Sequence, residues 1–378
     1  MKVVFITSDF PPGKGGISTL SKNLAETIGP KVYSFEIHVL FCKNKREEVD
    51  SEFKIPIHRS GTKSVFVNLL YVLKLCYRNK FSKTIYQTPN LFPVGFFIVV
   101  GCFIFGGFSV IHSHGTDFLS KLARSVVKKL KAMTLRLADK VIFISESTKT
   151  EVLKELKLKN EKVEVVYCPV LKGKAISKTE RENARERLKI NDEDFIIIRV
   201  GNLVFRKGDH LIIQALSKLP EKIKLFMVGD GPERNSLKNL TRSLGLENRV
   251  YFYGRVSDTF EYYNVSDLFI MASFYDRKEG DIEGLGIVIL EAEGKGLPVI
   301  VADSGGMPEA IEKGETGFVF AENDSDDLAE KILDIYQNKD LQKKFRENGP
   351  EFVRDKFNSE KIANQYLEIY SKLLNKND

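Results

Sequence analysis

The sequence predicts an α/β protein made of two doubly wound domains, each with a mostly parallel sheet. Short apolar runs alternate along the chain with amphipathic segments of helical periodicity. Glycine or proline turns separate these runs from the segments that follow them. The length of 378 residues exceeds what one ordinary core accommodates and suits two domains. A hydrophobic content of 43% and a charged content of 29% are typical of a soluble globular protein.

The first domain is predicted to span residues 1–170. Its apolar runs have the length and composition of strands that are buried on both faces of a parallel sheet. These strands are expected at residues 3–7, 36–41, 109–112, 141–145 and 163–167. Helices are expected at residues 18–28 and 148–156.

The second domain is predicted to span residues 171–356. Buried strands are expected at residues 195–200, 224–228, 250–253, 268–272, 298–302 and 317–320, with a helix at 211–219. The polar stretch 171–194 separates the two sets of strands, and its start is the predicted linker, with a surface helix at 179–188. The last helix, at 359–374, can pack on either domain. Residues 357–378 can therefore pack back on the first domain.

Cysteine use and the start of the chain indicate a reducing compartment. Four cysteines are scattered without a C-x-x-C pair, and the histidines form no cluster in the sequence. This pattern argues against a disulfide framework or a zinc site. The first residues resemble a buried strand and lack the apolar core of a signal peptide. We therefore expect a cytoplasmic protein.

Charge is distributed unevenly between the two halves. Residues 1–170 hold 26 Lys and Arg against 14 Asp and Glu, a net charge of +12, and the remainder carries −5. A half this basic suggests an anionic partner: a membrane surface, a nucleic acid or a phosphorylated acceptor. Segments 63–83 and 121–136 pair basic with apolar residues at helical spacing. They predict peripheral association with the inner face of an anionic membrane, although ordinary helices with a solvated basic face share this pattern.

One apolar segment is long enough to raise the question of a membrane span. Residues 84–111 contain no charged residue, and 91–108 are almost wholly apolar. Pro93, Gly95 and Gly101 interrupt the run. The α/β alternation also requires one buried helix and one buried strand here, and we favour that interpretation.

Two glycine turns follow predicted strands and suit phosphate binding. Gly15 and Gly16 follow the first strand, where they allow a ligand close to the backbone and to the start of a helix. The turn lacks the G-x-G-x-x-G pattern, so a dinucleotide fingerprint is absent. In the second domain, the turn that begins at Gly201 and Asn202 ends in a helix that Asp209 is expected to cap.

Two cations and a histidine are candidates for charge and proton chemistry. Arg206 and Lys207 lie in the second turn, where cations can clamp a diphosphate. His112 and His114 end a predicted strand, at the edge of the sheet where ligands bind. His114, nearer the loop, is the functional candidate, and an H-x-H metal pair is not expected.

The segment from residue 281 to 291 contains the most informative pattern. Glu283 and Glu291 flank a glycine turn, Gly284–Ile287, that opens a helix predicted to reach about residue 296. Carboxylates accept hydrogen bonds from hydroxyls, and helix N-termini bind anions. A nucleotide sugar, with hydroxyls at both ends and phosphates between them, meets both requirements. The spacing of the glutamates alone has little specificity, but glycine turns at 305–306 and 317 accompany it.

Taken in order, these elements resemble the retaining glycosyltransferases of family four. That family has the GT-B architecture, in which two Rossmann-like domains face each other across an interdomain cleft. The resemblance covers essentially the whole chain, and the C-terminal half carries the more specific motifs. The stretch 281–292 is most similar to that of phosphatidylinositol-mannoside-type mannosyltransferases. The matching residues are Gly15, Gly16, His114, Gly115, Ser145, Glu146, Gly201, Lys207, Gly208, Gly229, Asp230, Gly231, Pro232, Glu233, Gly254, Asp267, Ser273, Glu283, Glu291, Gly305, Gly306, Pro308 and Glu309.

The resemblance implies a role for each donor-site residue. Glu291 would hold the ribose, Glu283 the hydroxyls of the donor sugar, and Lys207 with Arg206 the diphosphate. His114 would lie beside the anomeric carbon and the acceptor. Backbone groups of Leu285, Gly286 and Ile287 would meet sugar and phosphate, Gly15 and Gly16 would let the diphosphate approach, and Val256 would lie near the base. Such enzymes need no metal, so cations and helix ends would stabilise the leaving group.

The sequence departs from the family where Asn202 replaces the usual arginine, which puts donor affinity in question. We expect a metal-independent, retaining transfer of a hexose, mannose being favoured, from a nucleoside-diphosphate sugar to a lipid-linked or glycan acceptor. Glucose- or GlcNAc-type transfer from a UDP-sugar and a non-catalytic nucleotide-sugar-binding subunit are the alternatives. A nucleic-acid binder lacks a recognisable motif, and a dehydrogenase lacks its fingerprint.

Overall fold

The computed structural model describes residues 1–13, 15–42, 50–122, 125–170, 177–256 and 258–375. The described residues of Met1–Leu171, Lys278–Gly280 and Phe357–Asp378 form one compact unit. Those of Lys172–Arg277 and Asp281–Lys356 form the other. The predicted start of the linker, at residues 171–176, lies outside the described residues.

The first unit is built on a sheet of seven parallel strands. The strands are β1 (Lys2–Thr7), β2 (Ser34–Val39), β3 (Ile57–Arg59), β4 (Thr84–Thr88), β5 (Phe108–Ser113), β6 (Lys140–Phe143) and β7 (Val163–Val165). Their order across the sheet is β3-β2-β1-β4-β5-β6-β7. The apolar runs did not indicate β3 or β4. β3 has only three residues, and β4 contains polar residues that are all buried, so neither gives an apolar run.

Helices flank this sheet. They span Gly16–Ile28, Val65–Arg78, Phe96–Phe105, Thr116–Leu119, Ser125–Leu137, Glu146–Glu155 and Ser359–Leu374. The apolar segment 91–108 forms a turn at Leu91–Gly95 and the helix Phe96–Phe105, and strand β5 follows. The prediction of a helix and a strand is therefore confirmed, but the helix is only partly buried, because Phe103 and Ile104 are exposed. No helix in the described part of the chain has the length and apolarity needed to cross a membrane.

The last helix, Ser359–Leu374, belongs to the first unit, which decides between the two positions that the sequence allowed. It packs against the helix Gly16–Ile28. Its Tyr370 hydroxyl donates a hydrogen bond to the side-chain oxygen of Gln87 on β4. The Tyr366 ring stacks on the His112 ring with centroids 5.9 Å apart. The C-terminus of the chain therefore completes the core of the N-terminal unit.

The second unit contains a sheet of six parallel strands. They are β8 (Phe195–Val200), β9 (Ile223–Val228), β10 (Val250–Gly254), β11 (Leu268–Met271), β12 (Val299–Ala302) and β13 (Gly317–Phe320), in the order β10-β9-β8-β11-β12-β13. Its helices span Lys178–Arg187, Asp209–Leu216, Arg234–Ser243, Phe260–Val265, Ile287–Gly294, Ser325–Gln337 and Lys339–Lys356.

Both sheets have doubly wound topology, so the prediction of two Rossmann-like α/β domains is confirmed. In each sheet the strand order reverses beside the first strand, between β1 and β4 and between β8 and β11. Open α/β sheets bind ligands outside the carboxyl ends of their strands at such a reversal. Gly15 follows β1, and Gly201 follows β8. These loops therefore lie where a ligand is expected in each unit.

Candidate functional site

Backbone contacts hold the loops at the carboxyl edge of the second sheet together. The amide of Leu203, in the loop after β8, donates to the carbonyl of Asp230 after β9 at 3.1 Å. Phe274, after β11, donates to the carbonyl of Arg206 at 3.0 Å. A Cβ atom on Gly229 would lie 1.8 Å from the carbonyl oxygen of Gly201, so only glycine permits this approach. The loops form a fixed platform.

Arg206 and Lys207 lie on this platform, in the single turn Phe205–Lys207. Lys207 Nζ lies 2.5 Å from Glu283 Oε2, and Arg206 Nη1 lies 2.9 Å from the same oxygen. Arg206 Nε also lies 2.7 Å from Asp281 Oδ2. The structure thus brings together three residues that the sequence proposed separately, and adds Asp281 as a partner. Two cations face two carboxylates, so the cluster is neutral overall.

The charges in this cluster are fixed by its contacts. Burial by itself would raise the pKa of Glu283, but Lys207 and Arg206 outweigh it and lower that pKa to about 2. Glu283 is therefore ionised at neutral pH. Burial lowers the pKa of Lys207, and Arg206 adds to that effect, while Glu283 opposes both. Because Glu283 is already ionised, it can accept hydrogen bonds from hydroxyls without first losing a proton.

The backbone of Glu283 is held by the glycine turn after β12. Gly306 donates its amide hydrogen to the carbonyl of Glu283 at 3.0 Å. Gly305 has φ +58, and a Cβ atom there would lie 2.3 Å from that same carbonyl oxygen. The turn at 305–306 therefore positions the backbone of Glu283, which explains why glycines stand at these two positions.

The helix Ile287–Gly294 begins directly after the glycine turn, at the N-cap Gly286. Gly286 has a left-handed backbone with φ 85, which favours glycine. No side chain in the described part of the chain caps this helix, and its first turn has no acidic residue. The Ile289 amide donates to the Gly286 carbonyl at 2.9 Å, so the amides of Ile287 and Val288 are the ones that can bind an anion. The predicted helix ends two residues earlier than expected.

Glu291 lies on this helix and is half-buried. The hydroxyl of Tyr263 donates to its Oε2 at 3.2 Å. Burial raises the pKa of Glu291 to about 6, and the hydrogen bond from Tyr263 offsets part of that rise. Tyr263 was not predicted from the sequence, because it comes from a different helix, Phe260–Val265.

Contrary to the expectation from the sequence, Asp209 does not cap its helix. The helix begins at Asp209 after Gly208, without a side-chain cap, and the Asp209 carboxylate pairs with Arg199 on β8. Burial raises the pKa of Asp209 to about 6, opposed by Arg199. The guanidinium also donates to the carbonyls of Gly201 and Asn202. Sequence reasoning missed Arg199, although a lone charge inside an apolar strand was a signal for it.

Asn202 is exposed, and its carbonyl lies 2.7 Å from Arg199 Nη2. The buried Arg199 therefore holds the backbone of this loop through the Asn202 carbonyl, although Asn202 replaces the arginine that is usual at this position. Val256 follows β10 and is half-buried. It lies after the edge strand of the same sheet.

The helix Gly16–Ile28 of the first unit begins after Gly15, which has φ 135. Its N-terminus has no side-chain cap among the described residues and no acidic residue in its first turn. A Cβ atom on Gly15 or Gly16 would meet nothing within 4 Å. Packing inside the unit therefore does not require glycine at Gly16, and the backbone there is open to a ligand.

The two histidines at the end of β5 differ in burial. His112 is fully buried, and burial, with a smaller effect of His114, lowers its pKa to about 3. His114 is half-buried, and its Nε2 lies 2.7 Å from the carbonyl oxygen of Pro89. A carbonyl only accepts, so Nε2 carries a proton. In the neutral ring Nδ1 then keeps its lone pair, and it is the nitrogen that can accept a hydrogen bond.

Comparison with known proteins identifies the family. The family description "Glycosyltransferase Family 4" matches residues 15–170, and "Glycosyl transferases group 1" matches residues 180–352. N-acetyl-alpha-D-glucosaminyl L-malate synthase of Bacillus anthracis is 30% identical over 265 residues, which cover 69% of this chain and 67% of that protein. The chain belongs to the family-four glycosyltransferases.

This glycosyltransferase is also similar to a further relative in sequence and to a solved structure in fold. The capsular polysaccharide biosynthesis glycosyltransferase CapM of Staphylococcus aureus is 26% identical, over 68% of this chain and 70% of that protein. The crystal structure of Anabaena HepE, in complex with UDP and glucose, superposes with a TM-score of 0.83 at 23% identity. The match covers 98% of this chain and 100% of HepE. The prediction of a glycosyltransferase with the GT-B type of fold is confirmed.

Proposed function

We propose that this glycosyltransferase moves a hexose from a nucleoside-diphosphate sugar to a lipid-linked or glycan acceptor, with retention of anomeric configuration and without a metal. The observation that carries the proposal is the contact of Lys207 and Arg206 with Glu283, beside the loop that leads to the uncapped helix Ile287–Gly294. Cations and an open helix N-terminus suit a diphosphate. Carboxylates suit the hydroxyls of two sugars.

Each side chain then has one task. Glu291 accepts hydrogen bonds from the ribose, Glu283 from the donor hexose, and Lys207 with Arg206 neutralises the diphosphate. The amide groups of Gly284, Leu285, Gly286 and Ile287 meet the sugar and the phosphate. In the other unit, Gly15 and Gly16 admit the diphosphate, and His114 takes part beside the anomeric carbon. Gly201, Asn202 and Val256 complete the donor-binding set, Val256 near the base.

The proposed reaction is a displacement on one face of the donor sugar. The bond between the anomeric carbon and the phosphate oxygen breaks, and the acceptor oxygen bonds to that carbon on the same face. The acceptor proton passes to the leaving phosphate, so no separate carboxylate base is needed. Lys207 and Arg206 stabilise the charge that develops on the phosphate.

The names of the relatives favour a UDP-activated glucose or N-acetylglucosamine as the donor, whereas the motif favours mannose. HepE was crystallised with UDP and glucose, and the Bacillus anthracis relative is named N-acetyl-alpha-D-glucosaminyl L-malate synthase. We therefore rank UDP-glucose and UDP-GlcNAc first and retain GDP-mannose as the competing donor. The names of CapM and other relatives support an acceptor in cell-surface glycan synthesis.

The test is a donor panel on purified, tag-free protein. The correct donor should raise the melting temperature, because it binds only the folded state, and should be hydrolysed slowly or transferred to an added acceptor. NMR of the product should show the anomeric configuration of the donor, and EDTA should leave the rate unchanged. An inverted product, or loss of turnover in EDTA while circular dichroism shows that the fold is retained, would contradict the mechanism. Binding of a donor with no turnover by any acceptor extract would favour the non-catalytic subunit that Asn202 suggested.

A membrane partner is supported by the surface of the first unit. Helices Val65–Arg78 and Phe96–Phe105 pack together and leave large apolar side chains in solvent, next to basic residues. This basic apolar surface comprises Val65, Phe66, Leu70, Tyr77, Phe81, Phe103 and Ile104, with Lys74, Arg78 and Lys80. Lys80 Nζ lies 4.2 Å from the centroid of the Tyr77 ring. Apolar side chains that can enter the interface, with cations beside them, suit an anionic lipid surface.

Liposome sedimentation tests this part of the proposal. Vesicles with anionic lipid should bind the protein at low salt and release it at high salt. Changing Phe81 and Phe103 to Ser should reduce binding, whereas Tyr33→Ser, which removes a similarly exposed aromatic that is not part of the basic apolar surface, should not. Binding that is the same for both variants would remove the membrane from the proposal and leave the transferase function untouched.

A further inference from the structure

Two histidines and a glutamate meet on one face of the first sheet, among residues with no proposed role in transfer. Glu36 and His38 are two residues apart on β2, so their side chains leave the same face. β3 runs parallel to β2 with His58 paired to His38. The coordinating atoms of the three side chains all lie within 4.8 Å of one another. The sequence analysis argued against a zinc site and did not reveal this group, because its histidines are twenty positions apart.

The distances suit a small divalent ion. Bonds of about 2.0–2.2 Å to tetrahedral Zn²⁺ put two ligand atoms about 3.3–3.5 Å apart. Glu36 Oε2 lies 3.4 Å from His38 Nε2. As a hydrogen bond this separation is long. His58 is exposed and can turn by the remaining ångström or so, and its ring lies 4.8 Å from the His38 ring.

The surrounding side chains already orient the candidate ligands. The hydroxyl of Tyr71, on the helix Val65–Arg78, lies 2.8 Å from His38 Nδ1. When Nδ1 donates its hydrogen to that hydroxyl, Nε2 presents a lone pair towards Glu36, and a cation between them removes the repulsion. Lys2 Nζ lies 2.9 Å from Glu36 Oε1, which leaves Oε2 as the free ligand atom. Metal-binding histidines usually have such an outer partner.

The protonation state also permits ligation. Burial, with His58 nearby, lowers the pKa of His38 to about 4, so the ring is neutral at pH 7. The pKa of Glu36 lies below its usual value: burial raises it, but Lys2 and His38 lower it by more. A neutral imidazole and an ionised carboxylate are the forms that bind a metal.

We propose that Glu36, His38 and His58 bind a divalent transition-metal ion, Zn²⁺ in the first place, with water as the fourth ligand. Imidazole with one carboxylate suits zinc better than magnesium or calcium, which prefer oxygen ligands. The ion would fasten β3, an edge strand of three residues, to β2. Its task is structural, and the proposal is independent of the donor reaction, because none of the three residues belongs to the donor set.

The experiment uses full-length, tag-free protein that has been stripped with EDTA and titrated with ZnCl₂ against a chromophoric chelator. Wild type should bind one equivalent, and Zn²⁺ should raise its melting temperature. His58→Gln should lose affinity by at least the roughly 10–100-fold that an outer-shell change costs. Tyr71→Phe should lose about 10–100-fold. His210→Gln, in the second unit, is the matched control and should bind like wild type.

Co²⁺ provides a second readout. The wild-type protein should develop the visible absorption of a tetrahedral centre, and His58→Gln should not. Because His58 is exposed, that variant is expected to fold, and its circular dichroism verifies this. Undiminished zinc affinity in a folded His58→Gln protein, or wild-type binding no tighter than millimolar, would overturn the proposal.

Discussion

Lys207 Nζ lies 2.5 Å from Glu283 Oε2, an oxygen that Arg206 Nη1 also reaches at 2.9 Å. One carboxylate oxygen therefore holds both cations that are proposed to receive the diphosphate. An ammonium group has three donor hydrogens, so Lys207 can bond a phosphate and keep its contact with Glu283. Arg206 also keeps Asp281, which prevents an uncompensated charge when a ligand enters.

Removal of the ammonium should reduce catalysis more than binding. Lys207→Ala is expected to lower kcat by about 10²–10³-fold, the usual cost of losing one group that stabilises transition-state charge, with a smaller change in KM. Steady-state kinetics with the accepted donor measure the effect. Lys218→Ala removes an exposed lysine that pairs with Asp326, so it is the control and should keep wild-type rates. Full turnover by Lys207→Ala would remove Lys207 from the site.

Donor affinity should depend on the ionisation of Glu291. Burial raises the pKa of this carboxyl to about 6, and only its ionised form accepts two ribose hydroxyls. Protons therefore compete with the donor. The association constant should fall as the pH drops through 6, by about tenfold per unit well below it. Calorimetry or fluorescence titration between pH 5 and pH 8 gives the profile.

Two controls isolate Glu291 in that titration. The intact nucleotide sugar should be used, because the terminal phosphate of a free nucleoside diphosphate itself titrates near pH 6. Glu291→Gln keeps the shape of the side chain without its ionisation. It should bind the donor more weakly, and its affinity should not change between pH 5 and pH 7. A pH step that persists in Glu291→Gln would assign the titration to another group.

The glycine turn at 305 should matter through the position of Glu283. A methyl group on Gly305 would lie 2.3 Å from the Glu283 carbonyl oxygen, so Gly305→Ala must displace that backbone. We expect a loss of about tenfold or more in kcat/KM, in line with the sensitivity of catalysis to misplaced groups. Enzyme kinetics together with a thermal melt separate misplacement from unfolding.

Gly314 is the matched control for that substitution. It also has a positive φ, +78 against +58, but a Cβ atom there meets nothing within 4 Å. Gly314→Ala therefore carries a similar backbone strain without the clash, and it should lose some stability while retaining activity. Equal activity losses in the two variants would show that backbone strain, and not the contact with Glu283, explains the effect.

Glu293 is a buried carboxyl that should reduce stability at neutral pH. It is fully buried, and neither carboxylate oxygen reaches a hydrogen-bond partner among the described residues. Burial raises its pKa well above 4.5, although Thr316 and Lys356 favour the ionised form. Glu293→Met should therefore stabilise the protein by about 1–3 kcal/mol, the cost of an unsatisfied buried polar group. Urea unfolding measures the change.

The sign of its pH dependence follows from the raised pKa. In the unfolded chain the Glu293 carboxyl ionises near pH 4.5, whereas in the folded protein it keeps its proton to higher pH. The free energy of unfolding that this group contributes is therefore highest at low pH and falls as the pH rises. The advantage of Glu293→Met should thus be larger at pH 8 than at pH 5. An advantage that is constant with pH, or a less stable variant, would contradict this account.

The local pattern of the sequence predicted most of the secondary structure. The strands Phe195–Val200 and Gly317–Phe320, for example, occur at the predicted residues, since apolar runs between turn signals identify buried parallel strands. β4 escaped that rule because its buried polar side chains find partners only in the fold. Gln87, for example, bonds to Tyr370 from the far end of the chain.

The candidate site divides in the same way. Gly284–Ile287 with Glu283 and Glu291 form one continuous segment, so their grouping was visible in the order of residues. Arg199, Tyr263 and Asp281 were not predicted as partners, because each acts through contact with a residue from another loop or helix.

The sequence by itself determined the two α/β domains, the glycine turns and the identity of the charged groups, since periodicity and backbone freedom are properties of neighbouring residues. Only the tertiary structure decided which charges meet. Lys207 and Glu283 are seventy-six residues apart, and Glu36 and His38 meet His58 only because β3 pairs with β2. Electrostatic and coordination energies depend on distances of a few ångströms, which a linear order of residues does not contain.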